Sequence, residues 1–418
     1  MISVPEHGDA LDVLDLGPNR RLAILEQRTA GAPVRSAVPQ VRDTDGGWRR
    51  GRPGDGAAEA MLETLAATSG SQVRGRFTVV SWTERAAAGE RAIDVDQTNE
   101  SVIVGGAAVV KWATHLQDGP HPAPRRIALL RESGFDAMPT PWGLVTWRPP
   151  DGAETLAVTV DEYLPGAVDG WTWAVELITE AAGAHGPRAT AVLTAAAAVG
   201  VVVADLHAAL AGTARVATAS DAVRWRDEAM ATLVTAAAST TSQAGDVLRE
   251  RRTDIENILD GLGALAGTTV LEGHGDLHVG QVLRAGGRFV ITDFDGNPVL
   301  PAEQRVLPIP AALDVAGMTQ SLAHVAIVAR KYADLDPSGL AEVDLRTRRM
   351  FLDAYVDRLA ALGLSGLFDS AALRAFRLQQ VLREIIYAAR HLPRWMYVPD
   401  AALPALLGET TRDERGSG

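Results

Sequence analysis

The sequence predicts an α+β fold of two lobes, strand-rich in its first part and helical in its second. Three observations carry this. Short β-branched runs bounded by Gly, Asp and Pro recur as far as Pro165. Beyond it, long Ala- and Leu-rich segments show helical spacing. One polar loop and hairpin interrupts them: Glu272-Gly-His274-Gly-Asp276-Leu-His278-Val-Gly280-Gln281, then Phe289-Val-Ile-Thr-Asp293-Phe-Asp295-Gly-Asn-Pro298.

Composition bounds what the chain can do. At 418 residues two or three domains are expected, and 47% hydrophobic content is enough for a sizeable core. Aromatic residues are only 5%, so much of that core must be alanine, which favours closely packed helices. A net charge of −12 argues against a nucleic-acid surface. With zero cysteines there is no disulfide framework, thiolate nucleophile or zinc–thiolate site. The first residues lack a basic segment and an apolar core, so no signal peptide is expected. The run 189–204 is short, Ala-rich and interrupted by Gly200, and reads as a buried helix rather than a membrane span. A cytoplasmic protein is expected, with no membrane or nucleic-acid partner and with a monomer as the working state.

In chain order, residues 1–90 read as a separate cap. Arg21–Leu25, 32–38 and Gly75–Trp82 are strand-like, 57–67 is helical, and 43–56 is an exposed loop rich in Gly, Arg and Asp. From Ile93, Asp96-Gln97-Thr98-Asn99-Glu100-Ser101 reads as a polar turn into a strand. Gly105-Gly106 turns the chain into a second strand that carries Lys111. A helix is expected over 122–133, and a strand from Leu156 through Asp161 into Glu162-Tyr163-Leu164-Pro165. Helices are then expected over 190–210, 222–237 and 245–265, with His207 packed and hydrogen-bonded inside the first. Asp314 opens another helix as a candidate N-cap.

The polar loop holds the chemistry. An apolar strand that delivers two acids to its own carboxyl end is a common way to present oxygen ligands to Mg²⁺. Asp276, Gln281 and Asp293 stand at the spacing of the catalytic Asp, the amide ligand and the Asp-Phe-Gly aspartate of protein kinases. In that chemistry Asp276 accepts the proton of an attacking hydroxyl, while Gln281 and Asp293 hold the metal. No Walker A sequence is present, which sets aside the P-loop kinases.

His-Gly-Asp-Leu-His-x-Gly-Gln-Val-Leu, followed by Asp-Phe-acid-Gly-x-Pro, resembles the maltokinase-like branch of the aminoglycoside phosphotransferase kinases, nearest to the actinobacterial glucosamine kinases. Gln281 stands where most of the wider superfamily carries Asn. Asp295 and Asn297 depart from the Asp-Phe-Glu-Gly-Glu-Pro usual in maltokinases, which puts maltose in doubt. The resemblance implies a bilobal eukaryotic-protein-kinase-like fold. Residues 1–90 would be the N-terminal cap, 91–165 the small ATP-binding lobe and hinge, and 166–418 the helical lobe with catalytic loop and acceptor site. It implies Mg²⁺ and ATP, with Lys111 and Ser101 toward the phosphates and the backbone of Glu162 and Leu164 toward adenine. A Glu partner for Lys111 is usual on the following helix; Arg125 stands at that position, with Glu132 as the fallback. Gly170-Trp171 would open the helical lobe, and the family counterpart of Asp314 sits near the active-site loop.

The acceptor would lie near Asp276, Asp295 and the helix 376–391, where Gln380, Glu384, Tyr387 and His391 share a face. By resemblance Glu384, Tyr387 and Arg390 contact the sugar, and Trp395 and Tyr397 are able to cover a ring. A surplus of carboxylates suits a protonated amine, which points to a small amino sugar, glucosamine phosphorylated to glucosamine 6-phosphate. Maltose kinase, aminoglycoside kinase and an inactive nucleotide-binding module remain the alternatives.

Overall fold

A computed structural model describes residues 10–27, 33–93, 100–150, 152–182 and 187–409, without the side chains of 187–189. The chain divides into two units. The first is built from the described residues up to Glu132, Met138–Gly166 and Phe294–Val306. The second takes Ser133–Ala137, Ala167–Asp293 and the described residues from Leu307 onward.

The first unit begins with four antiparallel strands in sequential order, β1 (Ala10–Asp15), β2 (Arg20–Gln27), β3 (Val34–Arg42) and β4 (Trp48–Arg50). Helix α1 (Ala57–Ala66) follows and buries Ala58, Met61, Leu62 and Leu65. Its N-terminus is capped from a distance: the Glu90 carboxylate accepts the backbone N–H groups of Gly54, Gly56, Ala58 and Glu59 at 2.6–3.0 Å. An anion there meets both the unpaired amides and the helix dipole.

Then come β5 (Ser71–Arg74), β6 (Phe77–Ser81), β7 (Glu90–Ala92), β8 (Glu100–Val104), β9 (Ala108–Trp112), α2 (Ala123–Glu132), β10 (Pro141–Trp147) and β11 (Thr155–Glu162). The seven strands form one antiparallel sheet in the order β5-β6-β10-β11-β9-β8-β7. The segment expected as a separate cap therefore shares a sheet with the small lobe, through β6 paired to β10 from Phe77↔Trp147 to Ser81↔Gly143. It shares a core as well, since Ile24, Met61, Leu65, Phe77 and Val79 cluster with Val104, Val110, Trp112, Val145 and Val160. A half-buried β-face needs a cover, and α1 supplies it. The expected turn at 96–99 lies outside the described residues.

The second unit is mainly helical: α3 (Gly170–Ala182), α4 (Pro187–Leu210), α5 (Ala219–Ser239), α6 (Gln243–Glu250) and α7 (Arg252–Asp260). The single helix expected over 245–265 is broken at Arg251, whose ψ is 19°. The break falls in the polar run 249–254, where no buried apolar side chain rewards straight continuation.

Strand β12 (Arg215–Val216) pairs with β13 (Thr269–Val270), and β14 (Val282–Ala285) with β15 (Arg288–Ile291). Gly286 and Gly287 turn the second hairpin at φ 54° and 81°, the left-handed pair that a two-residue turn requires. Helix α8 (Ala302–Arg305) belongs to the first unit; α9 (Ala311–Tyr332), α10 (Pro337–Ala361), α11 (Leu373–Arg390) and α12 (Tyr397–Gly408) complete the second.

Gly200 does not interrupt α4. A Cβ there would collide with the Phe351 carbonyl, so the glycine is what lets α4 lie against α10. Helices 190–213 and 311–332 are long and apolar enough to cross a membrane, but 56% and 72% of their most apolar windows are buried inside the protein.

Candidate functional site

The loop from Glu272 to Gln281 is held from below by α9. Asp314, in the first turn of that helix and wholly buried, accepts the N–H of His274 at 2.7 Å and of Gly275 at 2.8 Å. The N-cap is Pro310, so of the two roles open to Asp314 the structure selects loop support. His207, also wholly buried, lies with Nε2 3.3 Å from the same carboxylate and Nδ1 2.8 Å from the Tyr355 hydroxyl. Burial opposes the charge on Asp314, yet the His207 hydrogen bond and the Gly275 N–H bring its pKa below the usual carboxylate value.

The loop is also tied to the hairpin. His274 Nε2 lies 3.0 Å from the Thr292 carbonyl, and its Nδ1 accepts the Asp276 N–H at 3.4 Å. Thr292 N–H donates to the Gln281 carbonyl at 2.9 Å. Val279 N–H donates to Ser321 Oγ at 2.8 Å. These bonds bring Asp276, Gln281 and Asp293 onto one framework.

Asp276 is half-buried. Burial pushes its pKa up; His278, His274 and Arg383 pull it down, and the Asp293 charge adds to the rise. Gln281 Nε2 donates to Asp293 Oδ2 at 3.2 Å, and Asp293 is exposed. An exposed carboxylate beside an amide suits an Mg²⁺ ion that takes only one or two protein oxygens and completes its shell with water and phosphate. Among the described residues no three His, Asp or Glu side chains form a closed metal cage.

Glu384, on α11, belongs with this group. It accepts from Trp395 Nε1 at 3.0 Å and from Gln380 Nε2 at 3.4 Å. Its pKa is raised by burial, lowered by Trp395, His278 and Gln380, and raised again by Asp276, so the carboxylate and the catalytic loop share one field. Trp171 stacks edge-on to Trp395 at 5.6 Å and tilts toward His278 at 6.5 Å. Tyr387 and Arg390 follow on the same helix but are exposed; Tyr387 packs on His391 at 5.5 Å, and Arg390 makes no ion pair among the described residues.

In the first unit, Ser101 on β8 stands opposite Lys111 on β9. Lys111 Nζ lies 3.8 Å from Asp161 Oδ2, on β11, the other neighbour of β9. The acid paired with Lys111 is therefore Asp161, not the fallback Glu132 on α2. Two side chains at diagonal positions of adjacent strands share a face, which brings them within reach. Burial raises the Asp161 pKa, and Lys111 opposes the rise.

Glu162 donates its N–H to the Thr140 carbonyl at 2.8 Å, and Tyr163 its N–H to the Ala107 carbonyl at 2.9 Å. The Leu164 N–H has no such partner among the described residues and is free to bond a ligand. Asp295 lies in the same unit, with Arg305 Nη1 3.5 Å from its carbonyl.

Sequence reasoning missed Asp161 as the partner of Lys111, and gave no role to His278, Arg383 or Trp171 beside Asp276. For Asp161 the signal was present: it alternates with buried Val158 and Val160 and so faces away from the core.

No family model matches the chain. It is 65% identical over 401 residues to a glucosamine kinase of Mycolicibacterium smegmatis (strain ATCC 700084 / mc(2)155), covering 96% of this chain and 99% of that protein. It is 46% identical over 412 residues to a glucosamine kinase of Streptacidiphilus jiangxiensis, covering 97% and 92%. Its fold matches a solved glucosamine kinase in complex with glucosamine, ADP and inorganic phosphate at a TM-score of 0.83, with 43% identity and coverage of 97% and 95%. A second crystal form of a glucosamine kinase gives a TM-score of 0.85 at 44% identity. With the loop, the hairpin and the carboxylates of its second unit in place, the chain belongs to the glucosamine kinase family.

Proposed function

We propose that the chain transfers the γ-phosphoryl group of ATP to the 6-hydroxyl of glucosamine. The observation that carries this reading is the Glu384 carboxylate, held by Trp395 Nε1 at 3.0 Å and within the field of Asp276, in a chain of this family. Asp276 takes the hydroxyl proton as the new O–P bond forms and the bond to the β-phosphate oxygen breaks, releasing ADP. Its raised pKa makes it a stronger base than an exposed aspartate. His274 and Asp314 hold the loop so that Asp276 meets the hydroxyl without rearrangement.

Gln281 and Asp293 would hold Mg²⁺, which when bound neutralises phosphate charge. Lys111, kept in place by Asp161, would contact the same phosphates, with Ser101 beside it. The Leu164 N–H and the Glu162 carbonyl would bond the adenine edge.

Glu384 would read the substrate amine. A carboxylate raised by burial is stabilised when an ammonium arrives, so charge pairing would favour glucosamine over glucose. Trp395 orients that carboxylate and offers an aromatic face, and Tyr387, Arg390 and Asp295 would complete the sugar contacts.

Phosphoryl transfer to glucosamine by the wild-type chain and by Asp276→Ala tests this directly. The variant is expected to bind ATP normally and to lose turnover by at least about a hundredfold. Turnover within tenfold of wild type would remove Asp276 from the mechanism.

A further inference from the structure

Helix α2, where the resemblance places an acidic partner for Lys111, carries a buried arginine instead. Arg126 is 3% exposed. Its Nη1 donates to the Phe294 carbonyl at 3.0 Å and its Nη2 to the Arg305 carbonyl at 2.9 Å. These carbonyls stand at the two ends of segment 294–305, which follows Asp293 directly. Arg305 is itself buried at 4%.

Two buried guanidiniums in one place are costly unless their donors are satisfied. The cost is visible on a neighbour: His121 is pushed down to about 3, first by burial and then by the charges of Arg305 and Arg126. Plain packing of α2 would be met by an aliphatic side chain. A rigid planar fork holds two separate carbonyls in a fixed geometry, which a flexible ammonium does not.

The residue before the segment needs such a hold. Asp293 has φ 67°, one of only two non-glycine residues with positive φ among those described. A carboxylate residue keeps that conformation when its surroundings impose it. On one side the Thr292 N–H is bonded to the Gln281 carbonyl, and on the other the Phe294 carbonyl is bonded to Arg126.

We propose that Arg126 is a positioning residue for phosphoryl transfer: it fixes the Phe294 carbonyl, one peptide beyond Asp293, and thereby restricts the direction in which the Asp293 carboxylate is presented to the metal. The idea rests on Asp293 as a metal ligand, so the test separates the two.

Full-length Arg126→Lys, Arg126→Met and Asp293→Asn are compared with wild type. Mn²⁺ binding to the ADP-loaded protein is followed by electron paramagnetic resonance, together with kcat and the KM for glucosamine. Asp293→Asn is expected to lose bound Mn²⁺. Both Arg126 variants are expected to weaken Mn²⁺ binding and kcat by about tenfold, the scale for residues that orient metal ligands, with the KM for glucosamine within twofold.

Mn²⁺ affinity within twofold of wild type in both Arg126 variants, while Asp293→Asn loses it, would overturn the role of Arg126 alone. Retention of Mn²⁺ by Asp293→Asn would overturn the metal assignment and this inference with it. If Arg126→Met does not fold, Arg126→Lys decides by the same readout, since it keeps the charge and loses the fork.

Discussion

The Asp314 carboxylate receives the backbone N–H of His274 at 2.7 Å, two residues ahead of the candidate base, from a position that is wholly buried. It receives the Gly275 N–H with its other oxygen at 2.8 Å. One acid thus shapes the loop that carries Asp276. Asparagine at 314 keeps the volume but replaces one acceptor with a donor, leaving a buried N–H facing another. Asp314→Asn is expected to cost about 1–3 kcal/mol of stability and to lower kcat by at least tenfold. Paired thermal melts and steady-state kinetics check this; wild-type kcat in a folded variant would contradict it.

Lys111 and Asp161 give a second expectation. Lys111→Met should lower kcat/KM for ATP by about a hundredfold, the scale for loss of one preorganised charge donor. Asp161→Asn leaves the ammonium in place without its partner and should cost less, about tenfold. Steady-state kinetics with ATP as the varied substrate rank the two. The reverse order would mean that Asp161, not Lys111, meets the nucleotide.

Acid stability follows from two desolvated histidines, His324 wholly buried and His121 half-buried. Burial pushes His121 and His324 down to about 3 from an unfolded value of 6.5. The unfolded chain binds the proton first, so each contribution is fully present above pH 6.5 and is lost as pH falls from there toward 3. Each histidine steepens the loss by about 1.4 kcal/mol per pH unit. Urea unfolding of wild type and His324→Gln at pH 7 and pH 5 should show a shallower loss in the variant. An unchanged slope would contradict the burial of a neutral His324, whose Nε2 lies 3.1 Å from Gln320 Nε2.

Much of this was legible in the residues because local rules agreed with the fold. The Ala285–Gly287 turn, the strand carrying Lys111 and the Asp276, Gln281 and Asp293 set each have a short-range signature. What escaped reading depends on pairing between distant segments. Nothing near Phe77 announces that it will stand opposite Trp147, so the segment from Ser71 to Ser81 reads as part of a separate body when its strands extend the same sheet. Asp161 becomes the partner of Lys111 only through the β9–β11 register. Arg126 gains its two carbonyl partners only when residues 294 and 305 are brought to it. The break at Arg251 was hidden because helical spacing continues on both sides of it.

The most direct test of the central claim is acceptor-dependent ADP release with Mg-ATP, comparing glucosamine, glucose, maltose and an aminoglycoside in wild type and Glu384→Gln. Glucosamine is expected to exceed glucose in kcat/KM by at least about tenfold, and the variant to lose most of that preference, as removal of one charge-assisted hydrogen bond requires. Equal use of glucose by the wild-type chain, or preference for maltose or the aminoglycoside, would contradict the reading of Glu384 as the group that recognises the amine.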